Sequence, residues 1–337
     1  MFRDHRPFID ALTPRHQAGS PFVTRLRFPF FLLLLLTAPG ALPAQTLDGP
    51  LVVFNAGSLA YPFRELLSAF GLEHPGVQRL QESSGSLEAA RKLTELGKIP
   101  DVLAVADYGV IAKLLMPAQT TWYVTFASNA MVLAYSDRSA GAGEITGENW
   151  WRILLRPTVR WGNSNPALDP NGYRTHLVFQ LAEAHYHQPG LAGRLERASL
   201  PRYIRPNEAQ LLALVQSGEL DYAWSYRSLA RTAGLRWVDL PPEVDLSDPA
   251  KTEWYAQAVV RLPGASLASP DSIAFRGEPI VYAMTIPSRA PHPGTARAFV
   301  RFVLSPAGQG ILSRAGFRLL AKPIITGTGP GALGLIP

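Results

Sequence analysis

The chain has 337 residues, 47% hydrophobic and 17% charged, which is long enough for two ordinary domains and too apolar for a disordered chain. It has no cysteine, which excludes a disulfide framework, an iron–sulfur cluster, a thiolate zinc site and a lipoprotein anchor. Of the net charge of +6, +3 comes from residues 1–44 with five Arg against two Asp, and the other basic residues are scattered singly, so nucleic acid is not an expected partner.

Arg25 and Arg27 precede an apolar run from Phe28 to Ala38, followed by Pro39-Gly-Ala-Leu-Pro-Ala44, the charged, apolar and small-residue regions of a secretory signal. At about eleven residues the run is shorter than the roughly 20 that span a bilayer. Cleavage after Ala44 and a periplasmic or extracellular product are therefore expected, although Leu42 is larger than is usual two positions before a cleavage point. Residues 1–22 read as neither signal nor domain, which places the expected start near Val23. No later segment is apolar enough to span a membrane.

Two apolar, strand-like runs follow, each ending in a Ser/Gly turn that opens an amphipathic helix: Leu51-Val-Val-Phe-Asn-Ala-Gly-Ser58-Leu59 and Leu80-Gln-Glu-Ser-Ser84-Gly-Ser86-Leu87. The N–H groups of a first helical turn have no partner within the helix and the helix dipole favours negative charge there, so the repeated device reads as an anion cradle. The plainer alternative is that both serines are N-caps. A helix is expected over Leu87–Leu96, a buried strand over Asp101–Ala106 and a helix over Tyr108–Leu115. Strands alternating with helices predict parallel pairing in an open α/β sheet whose ligands sit at the carboxyl ends of the strands.

The extended run Thr125–Tyr135 is expected to leave this first lobe, and Pro279–Pro287 to return to it. Between them lie expected helices at Trp150–Leu155, Thr175–His187 and Ala209–Ser217, and strands at Val159–Gly162 and Tyr222–Ser225. Two closing helices, Pro291–Leu304 and Ala307–Ala315, pack back on lobe one. The expected organisation is a signal and upstream extension over 1–44, lobe one over 50–127, lobe two over 128–282, the C-terminal helices of lobe one over 283–322 and a tail over 323–337, with two crossing strands as a hinge. The formal G-x-G-x-x-G of Gly327–Gly334 has no helix after it and reads as part of the tail.

The turn-rich stretch Trp161-Gly-Asn-Ser-Asn-Pro-Ala-Leu-Asp169-Pro-Asn-Gly-Tyr-Arg174 presents Asp169, backbone N–H groups and Arg174 at the rim of lobe two. Arg205-Pro-Asn-Glu208 opens a third helix, and Tyr222-Ala-Trp-Ser225-Tyr226 ends a strand with a phenol able to donate to an anion. Arg174 and Arg227 read as surface pairs that add long-range attraction.

These segments carry a resemblance. Asn55-Ala-Gly-Ser58-Leu, Glu82-Ser-Ser84-Gly-Ser-Leu, Ser164-Asn-Pro-x-x-Asp169-Pro-x-Gly-Tyr-Arg, Ser217-Gly-Glu-Leu-Asp-Tyr-Ala running into Tyr226, and Ile280-x-Tyr-x-x-Thr-Ile-Pro287 occur in order over roughly residues 50–322. Together they resemble the periplasmic molybdate/tungstate-binding proteins of ABC importers, most of all the tungstate-binding subgroup. The resemblance implies a type II periplasmic-binding fold of two α/β lobes, an oxyanion as ligand with no cofactor, and a membrane permease as partner. It implies that Ser58 and Ser84 donate from lobe one, while Asp169 with its turn, the backbone N–H near Glu208 and the Tyr226 hydroxyl close from lobe two.

In the tungstate subgroup a glutamate just before this tyrosine joins the aspartate in a six-coordinate metal centre; here that position is Ser225. Asp169 remains as a direct ligand for the metal of the oxyanion, and Ser225 is expected to donate to a four-coordinate anion, with Glu219 as the alternative carboxylate. The other readings are a binding protein for sulfate, phosphate or a small carboxylate, and an exported serine hydrolase. The hydrolase is opposed by the absence of G-x-S-x-G, S-x-x-K, H-E-x-x-H and P-loop motifs. His185 and His187, two residues apart on a helix, do not share a face for a metal. With no long apolar stripe left uncovered, a monomer is expected.

Overall fold

The computed structural model describes residues 47–268 and 270–328. The expected signal peptide and upstream extension, and the last part of the expected tail, lie outside the described residues.

In chain order, lobe one opens with β1 (Gly49–Ala56), α1 (Ala60–Glu73), β2 (Val77–Ser84), α2 (Ser86–Thr94), β3 (Val102–Val105), α3 (Tyr108–Val110, continued by a π turn over Ile111–Leu115) and β4 (Trp122–Ser128). Lobe two follows with β5 (Met131–Tyr135), α4 (Trp150–Leu154), β6 (Trp161–Gly162), α5 (Pro170–His185), α6 (Leu191–Ala198), α7 (Glu208–Ser217), β7 (Tyr222–Tyr226), α8 (Arg227–Thr232), β8 (Arg236–Asp239) and α9 (Thr252–Tyr255). A hairpin, β9 (Val259–Pro263) and β10 (Ser272–Arg276), leads back to β11 (Val281–Thr285), α10 (Pro293–Leu304), α11 (Pro306–Arg314) and β12 (Arg318–Gly327).

Lobe one is built on a six-stranded sheet in the order β12-β4-β11-β3-β1-β2, and lobe two on four strands in the order β6-β7-β5-β8. Only β2, β1 and β3 on one side, and β6 with β7 on the other, pair in parallel. The strands that cross between the lobes, β5 and β11, pair antiparallel with their neighbours, as does the edge strand β12 with β4. The parallel pairing expected of the first alternating strands is found in β1, β2 and β3, within a fold that is mixed α/β as a whole. The apolar run Thr125–Tyr135, expected as one extended segment, is broken at Asn129–Ala130. The Asn129 side chain accepts from its neighbour Ala130 N at 3.0 Å and donates to Ser228 Oγ at 2.7 Å, which turns the chain from β4 into β5.

Helix boundaries follow their caps. Asp107 accepts from Gly109 N at the start of α3, Asn207 from Gln210 N at α7 and Ser305 from Gly308 N at α11. Asp169 precedes Pro170 at α5, where a proline needs no N–H partner. Gly218, at φ 81°, ends α7 in the left-handed conformation that a glycine adopts without strain.

The described part of the expected tail is corrected: residues through Gly327 form β12, an edge strand on β4. Its pairing skips between Leu319 and Ile324, so Pro323 falls in the bulge where no ladder N–H is needed. Lobe one packs its sheet on Phe63, Phe70, Phe126 and Phe299, and lobe two on Trp150, Phe179 and Trp224, which meet edge-on or tilted. Along β7 the alternation puts Tyr222, Trp224 and Tyr226 in the main core, and Ala223 in a second cluster with Leu211, Leu212 and Val215 of α7.

Candidate functional site

The carboxyl ends of β1 and β2 and the N-termini of α5 and α7 converge with the end of β7 on one buried region between the lobes. Ser58 lies in a 3-10 turn just after β1, and Ser84 is the last residue of β2. Neither is an N-cap: the cap positions of α1 and α2 are Leu59 and Gly85, and no side chain caps either helix. The hydroxyls are engaged elsewhere. Ser58 Oγ accepts from the Tyr282 hydroxyl at 2.9 Å, and Ser84 Oγ from Lys92 Nζ at 3.1 Å. Lys92 is itself held by Glu82 at 2.7 Å and Glu88 at 3.0 Å.

From lobe two, Asp169 at the start of α5 and Glu208 at the start of α7 bring two carboxylates that are 3% and 1% exposed. Asp169 Oδ2 is buried with no hydrogen-bond partner. Glu208 Oε2 accepts from Asn171 Nδ2 at 3.0 Å and from Tyr226 N at 3.1 Å. Burial raises the Asp169 pKa to about 7 against the pull of the Ser164 hydroxyl, Arg174 and the Glu208 amide. Burial and the repulsion of Asp169 push Glu208 well above the usual carboxylate range, opposed by the Tyr226 amide and the Ser58 hydroxyl. Burial likewise raises Tyr226 and Tyr282, so both phenols keep their protons.

The lobes are held shut by direct contacts. Leu168 O accepts from Leu87 N and Glu88 N of α2, both at 3.1 Å. A Cβ on Gly85 would stand 2.2 Å from that carbonyl oxygen and 3.1 Å from the Asp169 Cβ, so only glycine allows this approach. Arg91 of α2 donates to the carbonyls of Ala167, Pro263 and Gly264. Arg174 of α5 reaches across to Ala106 O at 2.8 Å and to Asp107 at 3.0 Å, and donates to the Tyr226 hydroxyl at 2.7 Å.

The structure thus gathers Ser58, Ser84, Asp169, Glu208 and Tyr226 in one place. It leaves out Ser225, whose side chain alternates to the opposite face of β7 from Tyr226 and donates to its neighbour's carbonyl at 3.1 Å. The expectation that Ser225 donates to the anion is corrected on that ground. Glu219, the alternative carboxylate, is exposed and stands 3.9 Å from Arg205. At Glu208 the side chain enters the site in addition to the expected backbone N–H, which acts on Asp169. Arg174, expected at the surface, is 2% exposed, because Asp107 and Tyr226 outweigh the burial of its charge. Arg227 does form a surface pair, with Asp239 at 2.7 Å. Tyr282 carried a sequence signal, its place in Ile280-x-Tyr, but no role could be read from it.

Residues 51–318 match the model of the bacterial extracellular solute-binding proteins. The chain belongs to this family. A solute-binding protein of Petrotoga mobilis is 40% identical over 286 residues, covering 85% of this chain and 88% of the relative. The molybdate/tungstate-binding protein WtpA of Pyrococcus abyssi is 34% identical over 326 residues, covering 89% of this chain and 93% of the relative. Among solved structures, the periplasmic molybdate-binding protein of Azotobacter vinelandii aligns with a TM-score of 0.55 at 16% identity, over 80% of this chain and 99% of that one, a likeness of fold. This solute-binding protein therefore has the two-lobed α/β architecture of periplasmic binding proteins.

Proposed function

We propose that this solute-binding protein is exported, captures tungstate or molybdate between its lobes, and delivers it unchanged to the membrane permease of an ABC importer. The ligand named for the Pyrococcus abyssi relative supports this reading. The observation that carries it is the unpartnered Asp169 Oδ2, buried beside Glu208 in a cleft otherwise furnished with hydroxyls. A carboxylate repels the oxygens of a dianion, and burying an unpaired acceptor costs about 1–3 kcal/mol. The cost is recovered if the carboxylate meets an electropositive metal. The d⁰ metal of molybdate or tungstate accepts further oxygen ligands beyond its four oxo groups, whereas the sulfur of sulfate stays four-coordinate.

With Asp169 and Glu208 both available, two added carboxylate oxygens bring the metal to six ligands. Glu208 thereby supplies the second carboxylate that Ser225 lacks. Ser58, Ser84 and Tyr226 donate to the oxo groups, replacing the hydration shell with donors that are already oriented. No turnover is part of this reading: Ser58 and Ser84 hydrogen-bond to Tyr282, Glu208 and Lys92, and no imidazole among the described residues activates either hydroxyl.

One observation favours a second ligand. Asp169 Oδ2 is also a suitable acceptor for the proton of hydrogen phosphate. Calorimetric titration with sodium tungstate, molybdate, sulfate and phosphate separates the two. Tight binding of tungstate or molybdate with weak phosphate is expected; heat from phosphate alone overturns the metal-ligand reading. Tungsten X-ray absorption on the complex is expected to report six oxygen neighbours, and four would remove the carboxylates from the coordination sphere.

A further inference from the structure

Three cleft hydroxyls each accept a hydrogen bond from a donor fixed behind them. Ser58 Oγ receives the Tyr282 hydroxyl, Ser84 Oγ receives Lys92 Nζ, and the Tyr226 hydroxyl receives Arg174 Nη1, at 2.9, 3.1 and 2.7 Å. Each donor is pinned in turn: Tyr282 by Asn129 Nδ2 at 3.4 Å, Lys92 between Glu82 and Glu88, and Arg174 by Asp107 and Ala106 O. The donors come from β11, α2 and α5, and each lies in the same lobe as the hydroxyl it serves.

A hydroxyl carries one proton and two lone pairs. When a fixed donor fills a lone pair, the proton must point elsewhere, and the O–H bond is polarised by the bond it accepts. The formal charges of Lys92 and Arg174 are balanced locally by Glu82, Glu88 and Asp107, so what they impose on the cleft is chiefly the direction of a dipole. The Ser58 hydroxyl also acts on the Glu208 side chain, opposing the rise that burial imposes on its carboxyl.

We propose that Tyr282, Lys92 and Arg174 are positioning residues that set Ser58, Ser84 and Tyr226 as proton donors for a deprotonated tetrahedral oxyanion: Tyr282 and Lys92 prepare lobe one before the two lobes close, and Arg174, fixed by Ala106 O and Asp107 of lobe one, sets Tyr226 as they meet. The proposal rests on the reading of the cleft as an oxyanion site. Preorganisation of this kind removes the ordering that free hydroxyl rotors would undergo on binding. None of the three positioning residues needs to touch the anion.

The test is a set of double-mutant cycles read by calorimetry, using whichever of tungstate, molybdate, sulfate and phosphate binds most tightly. Tyr282→Phe and Lys92→Met are each expected to weaken binding by about five- to twentyfold. Tyr282→Phe should add nothing in a Ser58→Ala background, nor Lys92→Met in a Ser84→Ala background, while Lys92→Arg keeps most of the affinity. Persistence of the full Tyr282→Phe and Lys92→Met effects in those backgrounds means that the residues act on stability or field alone, which overturns the relay and leaves the oxyanion site standing provided Ser58→Ala itself weakens binding. Wild-type affinity in Ser58→Ala, Ser84→Ala and Tyr226→Phe together, or no heat from any of the four anions, overturns the site and the relay with it. Arg174 is the variant at risk of misfolding, so the Tyr282 and Lys92 cycles decide.

Discussion

Lobe one and lobe two meet the cleft with different chemistry. Lobe one brings neutral hydroxyls at strand ends, Ser58 and Ser84, backed by Tyr282 and a locally neutralised Lys92. Lobe two brings two buried carboxylates at helix starts, Asp169 and Glu208, with the Tyr226 phenol beside them. Hydroxyl donors suit the oxygens of any tetrahedral dianion, whereas paired carboxylates suit only a central atom that accepts more ligands or an anion that brings a proton. On the proposed oxyanion reading, affinity for oxyanions in general rests on the hydroxyl donors, two of the three from lobe one, and discrimination among them on the carboxylates of lobe two.

The sharpest way to break this division is Asp169→Asn, expected to weaken tungstate by at least about a hundredfold while leaving sulfate unchanged or tighter. Equal losses for both anions in calorimetry would show that the lobes do not divide the work. The same variant changes stability in the absence of ligand. Asp169 rises from an ordinary 3.8 to about 7 in the folded protein, so the folded state holds more protons between those values. Its contribution is present below about pH 4 and is lost as the pH climbs through 7. Thermal melts from pH 5 to 8 should therefore show the wild type losing stability relative to Asp169→Asn as the pH rises, and parallel curves would mean that the carboxylate is ionised throughout.

Next in size, Ser84→Ala and Tyr226→Phe should each weaken binding by about 1–3 kcal/mol for metal oxyanions and sulfate alike, since both lose only a donor. A Gly85→Ala change should act on closure, because its Cβ would meet Leu168 O at 2.2 Å. Small-angle scattering is expected to show a more open ligand-free protein with affinity reduced by about tenfold. The smallest effects belong to Ser225→Ala and Glu219→Gln, which should alter ligand affinity by no more than about 0.5 kcal/mol. A large loss at Ser225 would return it to the site.

Much of the scaffold was legible because burial on both faces leaves continuous apolar runs, as in β1 and β3, and because turn formers such as Arg205-Pro-Asn207 precede helix starts. The β9–β10 hairpin and β12 were not legible. Their residues are mostly half-buried or exposed, and Pro323 interrupts β12 where the ladder skips, so neither alternation nor apolar length marks them. The break at Asn129 was hidden because apolar residues flank it on both sides and only its side-chain bonds reveal the turn.

The sequence by itself determined which turns end the strands and open the helices, and hence that Ser58, Ser84, Asp169 and Tyr226 stand at strand ends and helix starts, since propensity and patterning are local. Only the tertiary structure decided which atoms face the cleft. One residue of strand alternation turns Ser225 away from Tyr226, and the Glu208 side chain joins its backbone N–H in the site. Arg174 becomes a core residue because Asp107, from the other lobe, lies within 3.0 Å of it when the lobes are together. Partners distant along the chain fix these orientations, and no local pattern encodes a contact that exists only after the two lobes meet.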